Sequence, residues 1–202
     1  MKIATLFLLF ALFVGLAHAG TATFVGADQS NQGGVFTHGA TGELIPFLDS
    51  DVLGSQTSVT ITYADTWLWA WQVKDPRSIF VRDLIQPSAP IPGPYINANG
   101  GLAACWFGDQ FYIAVTNNNN ILQPQQIGLY LVDWDHLQRA EEIDVIDQVS
   151  GNVLDSEIVT AFDDGIYLNW NVTGTVVFRV TNLGGGPNAV VSGVFIDPVT
   201  RQ

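Results

Sequence analysis

Three tryptophans at alternate positions form the clearest chemical pattern in this sequence. Trp67, Trp69 and Trp71 stand two residues apart, and side chains at that spacing in a β-strand point to one face. Such a row suits a sugar, because the C–H groups of a pyranose pack against aromatic rings, which lose little entropy on binding. The alternative is a strand in the protein core. Trp71 precedes the polar stretch 72–77 and is the candidate for exposure.

A second cluster of functional side chains follows the alternating segment 126–133. Two carboxylates, an indole, an imidazole and a guanidinium lie close together in the sequence, on Asp133, Trp134, Asp135, His136 and Arg139. Carboxylates and a guanidinium can hold adjacent sugar hydroxyls while an indole covers the ring. The alternative is structural: an Asp–Arg pair that ties a hairpin, with Trp134 in the core.

Other reactive residue types predict structural roles. Cys105 is the single cysteine, so an internal disulfide is excluded, and its apolar neighbours predict a buried, unreactive thiol. Asp75 and Arg77 flank a proline and are expected to form an exposed ion pair that contributes little stability. The sequence contains no Gly-x-Ser-x-Gly elbow, His-Glu-x-x-His helix or phosphate loop. We therefore predict that the protein is not an enzyme.

Strands must position these residues. From Gly20 onward, side chains alternate with a period of two between frequent turn residues, and no segment sustains a helical period with caps. The proline-rich stretch 87–94 predicts a surface loop, either a plain connector or the rim of a site. The alternating segments and the turns between them together predict an all-β fold, an antiparallel β-sandwich or jelly roll. Its eleven strands are expected near 21–25, 58–63, 66–73, 102–107, 110–115, 126–133, 142–147, 153–160, 165–172, 175–181 and 189–196.

Several segments resemble a module of secreted bacterial proteins. They are Thr23–Asp28, Trp67–Trp69, Ala103–Trp106, Leu129–Asp135 and Gly186–Pro198. Together they are similar to the galactose-binding-like β-sandwiches, which are often appended to extracellular polysaccharide-active enzymes and are generally taken to bind carbohydrate. The resemblance implies the same fold for nearly the whole chain after residue 19, a carbohydrate ligand, and a core position for Trp67 and Trp69.

The same resemblance implies a metal ion. Galactose-binding-like sandwiches often hold one structural calcium between an early loop and the last strand, which makes Asp28 and Asp197 the matching carboxylates. No spacing of a known calcium loop occurs in the sequence. The calcium prediction therefore depends on the resemblance, and no other cofactor is predicted.

The composition limits the partners. The chain has 202 residues, 48% of them apolar, with 7 Lys+Arg against 19 Asp+Glu and a formal net charge of −12. This composition is typical of one globular domain with a real core. A chain this acidic lacks the basic surface that nucleic-acid binding requires, and it should be repelled by anionic lipids and anionic polymers.

The first nineteen residues are typical of an export signal. Lys2 precedes an apolar run over 3–16, and Ala17-His18-Ala19 is a small-x-small cleavage site. The run is shorter than the roughly 20 residues that span a membrane. We predict a signal peptide over 1–19, one β-sandwich domain over 20–202, and a secreted product, extracellular or periplasmic, with no membrane attachment after cleavage.

The sequence therefore predicts a secreted, non-catalytic module that binds a neutral poly- or oligosaccharide. Its predicted ligand-binding residues are Trp71, Asp133, Trp134, Asp135 and Arg139, and its predicted metal ligands are Asp28 and Asp197. Two alternatives stay open. One is a structural or cell-surface β-sandwich with an extracellular protein partner. The other is an extracellular glycan-active enzyme whose catalytic carboxyl groups are Asp133 or Asp135 and a distant glutamate.

Overall fold

Strands dominate the computed structural model of the chain, which describes residues 19–30, 38–46, 57–62, 67–71, 75–80, 101–118 and 120–199. These residues contain no helix, and thus none that is long and apolar enough to cross a membrane. Residues 1–18 of the predicted signal peptide and the proline-rich stretch 87–94 lie outside the described residues. The strands are β1 (Thr21–Asp28), β2 (Gly42–Leu44), β3 (Thr57–Thr62), β4 (Trp67–Trp71), β5 (Ile79–Phe80), β6 (Gly101–Gly108), β7 (Gln110–Asn117), β8 (Gln125–Leu131), β9 (Ala140–Asp147), β10 (Val153–Thr160), β11 (Ile166–Thr173), β12 (Thr175–Gly184), β13 (Ala189–Val191) and β14 (Gly193–Pro198).

Two five-stranded sheets form the body of the fold. The first has the order β1-β11-β8-β14-β2 and the second the order β10-β9-β12-β7-β3, with every pair antiparallel. In β12 the side chains of Val176, Phe178 and Val180 are buried at alternate positions, as the sequence pattern predicts. The predicted all-β antiparallel sandwich is confirmed.

The aromatic ring of Trp170 joins the two sheets. Trp170 lies in β11 of the first sheet, and its ring centroid is 5.3 Å from that of Phe178 in the second sheet, in an edge-on arrangement. Its Nε1 donates to Oδ2 of Asp155 in β10 at 2.6 Å. Burying this indole contributes about 2–3 kcal/mol, and the hydrogen bond satisfies its polar end.

A smaller third sheet carries the tryptophan-rich strand. Its order is β13-β6-β4, and β5 pairs with β6 on a separate ladder. The sequence predicts one strand over 189–196, but the structure divides it at Ser192. The Ser192 N–H donates to the carbonyl oxygen of Tyr130 at 2.7 Å, and its hydroxyl accepts from Nε1 of Trp134 at 3.0 Å. Because these bonds turn the backbone, β13 joins the third sheet and β14 the first.

Arg77 anchors the loop that connects β8 to β9 and the loop that connects β10 to β11. Its guanidinium makes a bidentate pair with Asp75 and donates to the carbonyl oxygens of Asp163 at 2.6 Å and of Asp133 and Trp134 at 3.3 Å. The expected exposed ion pair is therefore wrong, since Arg77 is buried. The Arg77 guanidinium supplies the hydrogen-bond donors that water would otherwise have to supply to these loop carbonyl oxygens.

Candidate functional site

A groove of about 300 Å³ opens beside the third sheet. Its apolar wall consists of Trp69 on β4, Cys105 and Phe107 on β6, and Val190 on β13. Its polar wall consists of Asp135 and Arg139 from the β8–β9 loop, with Pro187 and Asn188 from the β12–β13 loop. We call this feature the Trp69 groove.

The apolar wall is one continuous face of the third sheet. Trp69 pairs with Cys105, Trp67 pairs with Phe107, and Phe107 pairs in turn with Val190. Directly opposed residues of an antiparallel pair point to the same side of a sheet. The register therefore aligns the rings of Trp67, Trp69 and Phe107 on the side that carries the groove.

Two tryptophans on this face are accessible. Trp67 is 67% exposed and Trp69 is 56% exposed, whereas Leu68 and Ala70, each directly after one of them, pack against the core. The core position expected for Trp67 and Trp69 is therefore wrong, because β4 is an outer strand of its sheet and turns them outward. Trp71 ends β4, but its side chain lies outside the described part of the chain.

Arg139 organises the polar wall. Nη1 donates to one carboxylate oxygen of Asp133 and one of Asp135, and Nε donates to the carbonyl oxygen of Asn188 at 3.1 Å. Nη2 donates to Oδ2 of Asp135 at 3.4 Å and to Oδ1 of Asn188 at 3.3 Å. These acceptors use all five N–H groups of the guanidinium. Arg139 thus fixes the positions of the residues in the polar wall, and its N–H groups all donate to acceptors within the protein.

The two aspartates of this cluster have different surroundings. Asp133 is buried, and burial raises the pKa of its carboxyl group, but backbone N–H donors and the Arg139 charge outweigh burial and hold the pKa below its usual value. The Asp135 side chain is 39% exposed and lines the Trp69 groove. Asp133 therefore holds the Arg139 guanidinium in place beneath the groove, and Asp135 presents acceptor oxygen atoms to the groove.

The backbone of the same loop is strained. His136 and Gln138 have φ angles of 55° and 62°, in the left-handed region that residues with a Cβ rarely adopt. The Arg139 N–H donates to Oδ2 of Asp133 at 3.1 Å, which closes the loop across these two residues. Such strain persists only where the surroundings enforce it, and it concentrates at functional sites.

Trp134 lies on the other side of this loop. It is 6% exposed, its Nε1 donates to Ser192, and the Arg77 guanidinium lies 5.1 Å from its ring centroid. A ring so covered offers no face to a ligand, so the predicted stacking role of Trp134 is not retained. Of the predicted ligand-binding residues, the structure brings Asp135 and Arg139 to the groove and Asp133 beneath it.

A buried carboxyl group lies under the groove floor. Oε1 of Glu141 accepts from the N–H of Val190 at 2.8 Å, and Oε2 has no hydrogen-bond partner among the described residues. Burial raises the pKa of Glu141 well above its usual value. Burial therefore favours the protonated form of Glu141, in a position that no solvent reaches.

Glu141→Gln is expected to remove a pH dependence of stability. Between the unfolded pKa of about 4.3 and the raised folded pKa, folding binds a proton, so the free energy of unfolding falls by about 1.4 kcal/mol per pH unit as the pH rises. Glutamine keeps the acceptor for Val190 and cannot ionise. Urea unfolding between pH 5 and pH 8 measures the slope, with Glu142→Gln on the opposite face of β9 as control. Equal slopes for wild type and Glu141→Gln would contradict the raised pKa of this carboxyl group.

The predicted calcium ligands surround a histidine. His38 Nε2 lies 3.4 Å from Oδ2 of Asp28, and His38 Nδ1 lies 3.8 Å from Oδ2 of Asp197. Asp28 also accepts from Ser30, and Asp197 from the N–H groups of Gly39 and Ala40. Calcium takes six to eight oxygen ligands, and the described residues hold no group of three or more His, Cys, Asp or Glu side chains suited to a metal. The described residues place two carboxylates and an imidazole together here, and the calcium site at Asp28 and Asp197 stays a prediction.

No protein-family model matches this chain, and no curated protein matches it. Among solved structures it is similar to a chain described as "Structural basis for the promiscuous specificity of the carbohydrate-binding modules from the beta-sandwich super family". The two share 8% sequence identity with a TM-score of 0.19, and the match covers 72% of this chain and 64% of that one, less than two thirds of its length. A similarity this low carries no argument, so function must be inferred from the groove itself.

Proposed function

We propose that this protein is a secreted, non-catalytic β-sandwich that binds neutral carbohydrate in the Trp69 groove. The observation that carries the proposal is the accessible aromatic face of β4, where Trp69 lines the groove and Trp67 stands next to it on the same face. Burying either indole ring inside the protein would stabilise the folded state by about 2–3 kcal/mol. Two adjacent rings left uncovered on a well-packed protein mark a binding surface.

The polar wall determines what such a surface accepts. Because the N–H groups of Arg139 are held by Asp133, Asp135 and Asn188, the accessible polar atoms of the wall include the acceptor oxygens of Asp135. Acceptors need donors, and sugar hydroxyl groups supply them. Aromatic stacking combined with a few fixed acceptors is the usual arrangement of a small-molecule site.

The charge of the site favours an uncharged ligand over an anionic one. One guanidinium faces two carboxylates at the groove, and the whole chain carries a formal net charge of −12. A uronate or sulfated sugar would meet this negative potential without a free cation among the groove residues. Neutral saccharides avoid that repulsion.

The position of Glu141 supports binding rather than catalysis. A glycosidase needs two carboxyl groups that reach the scissile bond, one with a raised pKa as acid. Glu141 has the raised pKa, but it is fully buried and is separated from the groove by the backbone of Val190. Asp133, the other buried carboxyl group of the cluster, is occupied by Arg139.

A protein-binding role is the second candidate, favoured by a different surface. Val153 and Ile158 are exposed on β10, which lies at the edge of the second sheet. An edge strand presents unpaired backbone groups that can pair with another chain. This surface involves none of the groove residues, so the two candidates respond to different substitutions.

Calorimetric titration of the mature protein tests the proposal. We expect saturable binding of at least one neutral oligosaccharide class, little change in its affinity between 50 mM and 500 mM salt, and no binding of uronate oligosaccharides of matched length, since screening acts on charges and leaves stacking intact. Absence of binding across a broad neutral panel, or tighter binding of the uronates, would refute it. Release of reducing ends during the titration would establish catalysis instead.

A further inference from the structure

The start of β1 is tied to the far end of β9. The backbone N–H of Gly20 donates to Oδ1 of Asp147 at 2.8 Å, between residues 127 positions apart in the chain. Both residues are buried, whereas Ala19 immediately before them is exposed. The contact therefore lies at the point where the chain leaves the packed domain.

Asp147 is a buried negative charge that forms no ion pair with a cationic side chain in the described part of the chain. Its two carboxylate oxygens accept from the N–H groups of Gly20, Val149 and Ser150 and from the Ser150 hydroxyl. The Ser150 hydroxyl, followed by the Gly20 N–H, lowers the pKa of Asp147 to about 2, so the carboxylate is ionised. No ion pair joins it to a Lys, Arg or His among the described residues. Buried charges are normally paired.

Gly20 fits its position closely. A Cβ on Gly20 would lie 3.1 Å from both Oδ1 of Asp147 and the carbonyl oxygen of Thr173, and 3.3 Å from Val176. Gly174, with a φ of 76°, lies so near that its own Cβ would be 2.7 Å from the Cα of Gly20. Two glycines thus let the chain end approach the carboxylate and hold it there.

We propose that Asp147 is the binding site for the α-ammonium group that removal of residues 1–19 creates on Gly20. The cleavage is hydrolysis by a signal peptidase: water breaks the Ala19–Gly20 amide, its oxygen goes to the Ala19 carboxylate, and the Gly20 nitrogen becomes an ammonium at neutral pH. The neutral N–H donor opposite Asp147 then becomes a cation with three N–H groups. Buried Asp147 thereby gains a positive partner, which no described side chain supplies.

This pairing links signal-peptide removal to the stability of the folded domain. The hydrogen bond from Gly20 to Asp147 already has an ionised acceptor, and cleavage adds a positive charge on the donor, so that Coulomb attraction between opposite charges strengthens it. The processed chain is therefore more stable than the same domain with residues still attached to Gly20. The inference depends on cleavage after Ala19 and is independent of carbohydrate binding.

The test compares two forms of the mature protein, one beginning at Gly20 and one at Ala19. Both carry the same net charge, but the second moves its ammonium one residue outward, to an exposed position. We expect the unfolding equilibrium constant of the Gly20 form to be about five- to thirtyfold smaller, because only this form places a positive charge opposite the buried carboxylate. Asp147→Asn should abolish the difference. Equal stability of the two forms would overturn the proposal.

A chemical readout covers the case in which Asp147→Asn does not fold. After cleavage the chain has two amines, the α-amine of Gly20 and the side chain of Lys74. We expect acylation of the α-amine at neutral pH to be severalfold, up to about tenfold, slower in the folded protein than in urea, because pairing with the carboxylate raises the pKa of the amine. An α-amine that reacts equally fast in both states would overturn the proposal, as would a secreted protein whose first residue is not Gly20.

Discussion

Arg139→Met lowers the free energy of unfolding by about 3–5 kcal/mol, which is the cost of leaving a buried carboxylate without its partner. Asp133 is almost completely buried and receives the Arg139 guanidinium directly. Methionine keeps most of the side-chain length and removes the charge and all five N–H donors. Urea unfolding at pH 7 measures the loss, and the substitution also releases Asp135 and Asn188 from the groove wall.

A second substitution separates charge from packing in this result. Asp133→Asn removes the stranded charge, so the double variant should recover a large part of the stability that Arg139→Met loses. The loss in the single variant should also shrink at acidic pH, as Asp133 protonates and the folded state no longer contains an unpaired charge. A single variant within about 1 kcal/mol of wild type would contradict the proposed role of this pair.

Trp69→Ala weakens saccharide binding by about thirtyfold or more, the effect of losing a central tryptophan worth at least about 2 kcal/mol. Trp69 lines the groove, while Trp67 lies beyond it on the same strand, so Trp67→Ala should have a smaller effect. Because Trp69 is more than half exposed, its removal should change the free energy of unfolding little. Calorimetry with the saccharide that binds wild type most tightly gives both affinities.

Ile158→Ala is the matched control for this experiment. Ile158 is also more than half exposed but lies on the edge strand β10, and it is not one of the groove residues. We expect Ile158→Ala to bind saccharide like wild type. If Trp69→Ala and Ile158→Ala both retained full affinity, the Trp69 groove would not be the binding site.

Local sequence patterns were sufficient for most strands and insufficient for their assembly. The alternation over Val153–Thr160 predicts β10 with its observed bounds. The short strands β2 and β5 were missed, because two or three residues show no period. The division at Ser192 was missed too, since it depends on bonds to Tyr130 and Trp134, which are distant in sequence.

The same distinction explains what the sequence revealed of the groove. Asp133, Asp135 and Arg139 are near neighbours in the chain, so their proximity was predictable. Alternation showed that Trp67 and Trp69 share a face, but whether that face is covered depends on the other sheets. Asn188, 49 residues from Arg139, had no local signal at all.

The most direct test of carbohydrate binding at the Trp69 groove is the nuclear magnetic resonance spectrum of the tryptophan indole N–H groups during a saccharide titration. The chain contains six tryptophans, and single substitutions assign their signals. We predict that the signals of Trp67 and Trp69 shift with saturation, while those of Trp134 and Trp170, bonded to Ser192 and Asp155, stay fixed. Binding that leaves the Trp69 signal unmoved would contradict the proposed site.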